Sequence, residues 1–272
     1  MRATVFGAGG FIGRNLAAHL EKEGFQVRAL LRGDESWRGA ALGHVFFCIG
    51  LTADFRQRPL DALDAHVTAA TQVLRHGDFE SFLYLSSTRV YGAAAEAVET
   101  AALTVDPNDP SDLYNLSKLA GEAACLALPR PEVRIARLSN VFGPGMGTAN
   151  FLGSVLHEAR AGGRVRLGQA LDSEKDYVAI DDVVRALLRI ALAGEARLYN
   201  VASGRNTRHD EIFETLANLF GCEAKVAEDA KTVRFPIIII DRLINLMKWS
   251  PMNVLLQIKS ISEGEIKTAK TR

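Results

Sequence analysis

Apolar runs of strand length alternate with stretches of helical periodicity along most of the chain. Strands are expected at 2-6, 26-31, 44-49, 81-86 and 132-138, and helices at 11-23, 60-76 and 111-127. This is the βαβ rhythm of a doubly wound parallel sheet with helices on both faces. Ligands of such sheets lie beyond the carboxyl ends of the strands. The glycines of the first turn, Arg32, the segment Cys48 to Thr52, Ser86 to Thr88 and Ser139 to Pro144 all fall there.

Turn signals at Gly143-Pro144-Gly145 and Ser203-Gly204-Arg205-Asn206 mark where the chain leaves that sheet. Around them, helices are expected at 148-161, 181-193 and 208-220 and strands at 164-168 and 197-202. Thr207 reads as the cap of the helix at 208-220, with Asp210 as its acidic third position. Asp241 to Lys248 reads as helical, and Pro251 as a turn before a terminal helix. The pattern divides the chain into a dinucleotide-sized sheet domain, 1-141 with 178-203, and a smaller lobe, 142-177 with 204-272. The run Phe235 to Ile240 is too short to span a bilayer and meets Asp241 and Arg242 at once, so it reads as core or subunit contact.

Composition narrows the functions. A chain of 272 residues buries roughly three quarters of its unfolded surface and needs no staples or metals for stability. Its 32 basic and 32 acidic residues argue against nucleic acid or an anionic membrane as partner. Cys48, Cys125 and Cys222 are odd in number and far apart, so they read as buried thiols of a reducing compartment, a catalytic cysteine being the lesser alternative. The six histidines show no metal-binding spacing, and no metal is expected. The N-terminus begins directly on a strand rather than on a basic and apolar leader, which gives the expectation of a cytoplasmic protein.

The candidate chemistry starts at Thr4-Val5-Phe6-Gly7-Ala8-Gly9-Gly10-Phe11-Ile12-Gly13. Glycines Gly7, Gly10 and Gly13 between a strand and a helix let backbone approach a pyrophosphate, whose charge meets the unpaired N–H groups of the helix. An ordinary glycine-rich turn is the alternative. Further on, Tyr114 and Lys118 lie four positions apart and share one helix face. A phenol is a poor base at neutral pH, and a nearby ammonium stabilises phenolate. Such pairs also arise by chance. Leu83-Tyr84-Leu85-Ser86-Ser87-Thr88 ends a strand with hydroxyls that can hold a carbonyl oxygen beside an acidic phenol, or that cap their own turn.

The glycine triplet, Ser86-Ser87-Thr88-Arg89-Val90-Tyr91-Gly92 and the Tyr114-Lys118 pair, in that order, resemble the extended short-chain dehydrogenase/reductase family of nucleotide-sugar epimerases, dehydratases and ketoreductases. The resemblance runs from Met1 to about Pro251. It implies a Rossmann-type sheet with a smaller C-terminal substrate lobe, Ser87, Tyr114 and Lys118 as catalytic residues, and Thr88 as a neighbouring substrate contact. It further implies cofactor contacts from Gly7, Gly10, Phe11, Ile12, Gly13, Arg32, Ile49 and Gly50, joined by Tyr114 and Lys118. Asn140, in Arg137-Leu138-Ser139-Asn140-Val141-Phe142-Gly143-Pro144, is implied as a substrate contact, and Asp176-Tyr177-Val178 resembles the later family signature.

Departures sharpen this picture. Lys175 stands where the family usually places an arginine on the nucleotide phosphates, and a point charge cannot form the two-pronged pair. His66 stands where a family asparagine bends a helix and supports a proton relay, so it is either a relay or a packed histidine. Thr88-Arg89 replaces the Asp-Glu pair of family dehydratases, which argues against dehydration. Leu31-Arg32 replaces the carboxylate that accepts the ribose hydroxyls in NAD-binding members. Arg32 favours NADP, with NAD as the alternative and a solvated strand end as the bland reading, and Arg14 could assist. Only about a dozen residues separate the strands at 26-31 and 44-49, so the third, edge strand is expected to be missing and the adenine pocket shortened. The leading expectation is an NADP-dependent ketoreductase of a nucleotide-activated deoxysugar. The alternatives are an epimerase with tightly bound NAD and a non-catalytic NADP-binding protein. A homodimer through the helices at 60-76 and 111-127 is expected on the resemblance.

Overall fold

The computed structural model describes residues 1–51, 54–92 and 94–261; Thr52 and the end of the terminal segment, 262–272, lie outside the described residues. The first half of the chain forms β1 (Arg2–Phe6), α1 (Phe11–Lys22), β2 (Gln26–Leu30), β3 (Ala41–Phe47), α2 (Pro59–Leu63), a π-helical turn (Asp64–Thr68), α3 (Ala69–His76) and β4 (Asp78–Ser87). A 3-10 turn (Thr88–Tyr91), α4 (Leu113–Leu126), β5 (Val133–Leu138), β6 (Asn140–Phe142), α5 (Phe151–Ala161), β7 (Arg164–Gln169) and β8 (Glu174–Ala179) follow. The chain continues with α6 (Ile180–Ala193), β9 (Leu198–Val201), β10 (Asn206–Arg208), α7 (His209–Phe220), β11 (Glu223–Lys231) and α8 (Asp241–Met247).

Six strands make one parallel sheet in the order β2-β1-β3-β4-β5-β9. This is the Rossmann-like arrangement the βαβ rhythm predicts. Side chains alternate across each strand, so the sheet feeds two cores. Ala3, Val5, Leu83 and Leu85 pack with α1 and α6 through Leu16, Val183 and Leu187. Phe6, Val45, Phe47, Phe82 and Tyr84 pack on the opposite face with Ala70, Val73 and Cys125. No strand among the described residues pairs with the outer side of β2. Trp37, in the link that follows β2, is buried in the core on one face of the sheet, edge-on to Phe6 of β1 with ring centroids 5.8 Å apart.

Two further sheets flank the turn at 143-145: β10-β8-β6, with three strands of which β6 precedes the turn, and the parallel pair β11-β7. A third core, including Leu152, Leu156, Tyr177, Ile212 and Val254, joins them to α5 and α7. The cap of α7 differs from expectation. Thr207 belongs to β10 and pairs with Lys175; the helix starts from Arg208, whose N–H is accepted by the Glu211 carboxylate at 2.9 Å. In the 235-240 run Ile238 is buried while Ile237 and Ile239 are exposed, so it is only half core. No helix among the described residues is long and apolar enough to cross a membrane.

The expected helix at 60-76 is continuous in path but interrupted in pattern by the π-helical turn at Asp64–Thr68. Such a turn frees carbonyls from the helical ladder and bends the helix. The Tyr84 hydroxyl donates to the His66 carbonyl at 2.9 Å. Gly121 on α4 makes room for that hydroxyl, since a Cβ there would lie 2.4 Å from it.

Candidate active site

The glycine turn behaves as a cradle. Gly7 has φ +79°, and its carbonyl accepts the Gly10 N–H at 3.0 Å. A Cβ on Gly13 would lie 2.3 Å from that carbonyl, so the third glycine lets α1 close onto the turn. No side chain caps the first turn of α1 at Gly10, which leaves its N–H groups for an anion. Beside the turn, a cavity of about 340 Å³ is lined by Leu31, Arg32, Trp37, Ile49, Ala65 and Ala69, among others. Trp37, from the short link between β2 and β3, forms part of its wall. These features fit a dinucleotide. Arg32 lies exposed at the cavity rim, and among the described residues its side chain has no hydrogen-bond or ion-pair partner. Arg14 does not join it; its guanidinium donates to the Gly145 carbonyl.

The catalytic candidates meet at the carboxyl end of β4. Ser87 accepts the Arg89 N–H at 3.2 Å and so caps its own turn, and its hydroxyl lies near enough to the Tyr114 phenol to lower the pKa of that group. Tyr114 is 4% exposed. Burial raises its pKa above the usual tyrosine value, opposed by the nearby Ser87 hydroxyl and the Arg89 charge. Lys118 is buried and donates to the Leu85 carbonyl at 2.9 Å, over the Tyr84 ring. Burial holds its pKa down to about 8, with Glu122 the main opposing charge. The phenol and the ammonium both lie on α4, where the Lys118 ammonium is engaged by the Leu85 carbonyl and the Arg89 charge lowers the pKa of the phenol. Gly50 lies near Lys118, where a Cβ would stand 3.6 Å from its Nζ.

His66 holds this floor in place. Its Nε2 accepts the Leu51 N–H at 3.1 Å, which puts the ring proton on Nδ1, and Nδ1 meets the Ser117 hydroxyl at 2.8 Å. Ser117 donates onward to the Tyr114 carbonyl at 2.8 Å. Burial, reinforced by the Lys118 charge, pushes the His66 pKa down to about 3. Both nitrogens are thus engaged by the fold, and the ring is held neutral at ordinary pH.

The pattern of residues 3–202 matches the family model described as the NAD dependent epimerase/dehydratase family. The chain belongs to that family. A GDP-6-deoxy-D-mannose reductase of Pseudomonas aeruginosa is 33% identical over 164 residues, 57% of this chain and 53% of the relative. A dTDP-glucose 4,6-dehydratase of Streptomyces griseus is 29% identical, over 62% of this chain and 56% of the relative. The chain thus spans about half the length of these curated relatives. Among solved structures, that of RMD from Pseudomonas aeruginosa complexed with NADPH superposes with a TM-score of 0.77 at 26% identity, covering 97% of this chain and 99% of that one. MoeE5 in complex with UDP-glucose and NAD gives a TM-score of 0.80 at 21% identity over 99% and 100%, a likeness of fold.

Thr88 is buried next to Ser87. Asn140 donates to the Asp176 carbonyl at 2.8 Å, which ties β6 to β8. Lys175 stands over the Phe151 ring at 5.3 Å, its pKa lowered by burial and then by Arg89. No group of ligating side chains able to hold a metal occurs among the described residues. Burial pushes the Cys48 and Cys125 thiols up to about 12, the reverse of what a nucleophilic cysteine needs. Residue-type reasoning passed over Arg89, whose only signal was the replacement of an expected acidic pair.

Proposed function

We propose that the protein is an NADP-preferring ketoreductase of a nucleotide-activated deoxysugar. The observation that carries this reading is the juxtaposition of Ser87 and the buried Tyr114 phenol at the end of β4, in the same sheet as the glycine cradle of β1. NAD(P), when bound, exchanges a hydride with a carbon of the substrate. Ser87 and Tyr114 hold the carbonyl oxygen, and Tyr114 delivers its proton as charge develops there. Lys118, fixed by the Leu85 carbonyl, orients the cofactor ribose. Unpaired Arg32 favours the additional phosphate of NADP. Residues 1-141 with 178-203 hold the cofactor and 142-177 with 204-272 the sugar nucleotide, with Thr88, Asn140 and Lys175 as its contacts. Exposed Leu60, Leu63 and Leu126 on the two long helical segments support pairing of two copies there.

The reductase named among the relatives supports this choice over dehydration, and so does Arg89 in place of an acidic residue. Purified protein supplied with NADPH and keto nucleotide sugars should consume both in equal amounts. Tyr114→Phe should lower turnover at least about a hundredfold, within the usual range for general acid/base catalysis. Stoichiometric NAD that survives purification without exchanging, with no net consumption of NADPH, would make the protein an epimerase instead. Binding of NADP without turnover of any such sugar, equally in wild type and Tyr114→Phe, would favour the non-catalytic reading.

A further inference from the structure

Tyr114 is surrounded from four sides. Ser87 and Arg89 face it from the end of β4 and the turn after it, His66 stands edge-on at 5.3 Å from the π-helical turn, Phe55 lies at 5.4 Å, and Lys118 follows on its own helix. His66 is neutral, and Lys118 is turned toward the Leu85 carbonyl. The Arg89 guanidinium centre lies 5.3 Å from the Tyr114 ring centroid and 5.1 Å from that of Phe55, and it donates to the Ser111 carbonyl at 3.3 Å. The charges around Arg89 itself are Arg56 and Lys175, of like sign, and Asp109 and Asp112, of opposite sign.

We infer that Arg89 is the positioning residue that sets the acidity of Tyr114: set against both the Phe55 and Tyr114 rings, its guanidinium stabilises the phenolate in the role that the Tyr114-Lys118 spacing assigns to the lysine. A cation over an aromatic ring is attracted by its π face, and more strongly once the ring carries a negative charge. Burial alone makes the phenol a weaker acid, so a compensating charge is needed within a few ångströms. Arg89 supplies that charge, and its backbone N–H also fixes the Ser87 hydroxyl. The same side chain position thus aligns one partner of the reacting oxygen and tunes the other.

This inference rests on Tyr114 being the acid/base group. Its test is the pH dependence of kcat/KM for alcohol oxidation, in which phenolate is the required form and the rate rises with pH through the Tyr114 pKa. In Arg89→Gln that rise should move up by about one pH unit or more, the usual effect of removing a neighbouring opposite charge. In Arg89→Lys, which keeps the charge, it should return toward the wild-type position, with KM little changed in both. The phenolate absorbance of the cofactor-free protein, taken as the difference from Tyr114→Phe, should show the same displacement. An unmoved limb together with a raised KM would make Arg89 a substrate contact and overturn the inference. The two failures separate cleanly: if Tyr114→Phe keeps its turnover the acid/base reading falls, while the absorbance titration still judges the influence of Arg89.

Discussion

His66 and His209 are equally buried, at 0% and 1% exposure, and live in opposite surroundings. His66, beneath α4, has both ring nitrogens engaged, one by a backbone N–H and one by Ser117. His209, at the start of α7, stacks on Phe151 with centroids 4.1 Å apart, and among the described residues neither of its nitrogens has a partner. The Tyr177 hydroxyl and the Asn206 carbonyl oxygen of the neighbouring strands are unpartnered in the same sense. The contrast teaches where the geometry is fixed. Around Tyr114 a closed chain of polar bonds sets each ring and carbonyl, the preorganisation that acid/base chemistry needs. Around His209 the ring is held by apolar packing and stacking, while the polar bonds of the neighbouring strand β8 gather on Asp176, which accepts from Ser139 and Ser203.

Acid should expose the cost of both histidines at once. Burial is the first cause of each lowered pKa, to about 3 for His66 and about 4 for His209 from an ordinary 6.5. Between about pH 6.5 and about pH 3 the unfolded chain therefore holds protons that the native state refuses. Stability is full above the ordinary histidine range and falls as the pH drops through that window. For His66 the loss is on the order of 3–5 kcal/mol. Denaturant midpoints measured across this range should fall steeply in wild type and less steeply in His66→Ala. An equal slope in the two proteins would show that His66 takes up its proton in the folded state.

At neutral pH the same substitution should cost about 2–4 kcal/mol, because it opens a cavity beside the Tyr114 ring and strands the Leu51 N–H. Equilibrium unfolding reads this directly. A cost below about 1 kcal/mol, of the size of one ordinary hydrogen bond, would mean that the polar chain under α4 is decoration, and the contrast between the two halves would be lost.

The sheet half was legible in sequence because it repeats simple periods. The apolar runs of β1, β3 and β4, the glycines at 7, 10 and 13, and the short link between β2 and β3 each carry a local physical requirement that residue types record. The missing edge strand could be counted directly from that link. The π-helical turn could not, since it depends on the Tyr84 hydroxyl finding the His66 carbonyl across the fold. Arg89 stayed hidden for a similar reason: its influence depends on where the Phe55 ring lies, and no spacing encodes that. Strands β6 and β10 have three residues each, too few for a period, and β11, Glu-Ala-Lys-Val-Ala-Glu-Asp-Ala-Lys, carries charges that mask its alternation. Thr207 looked like a cap because threonine favours caps; its pairing with Lys175 in the sheet took precedence.

The smallest expected effect is the most discriminating. His209→Leu exchanges a buried imidazole without hydrogen bonds for an apolar side chain of similar volume. Removing unpartnered polar atoms relieves a desolvation cost of about 1–3 kcal/mol, whereas losing the stack on Phe151 forfeits roughly 0.5–1.5 kcal/mol. The two nearly cancel, so the net change at neutral pH should stay within about 1 kcal/mol and lean toward stabilisation. Below pH 6.5 the variant should gain further on wild type, because it no longer carries a group whose folded pKa is held near about 4. Thermal melting of both proteins at neutral and mildly acidic pH measures both parts. A loss as large as that of His66→Ala would show that the His209 nitrogens are bonded in solution, and the two halves of the molecule would then be held by the same kind of polar network.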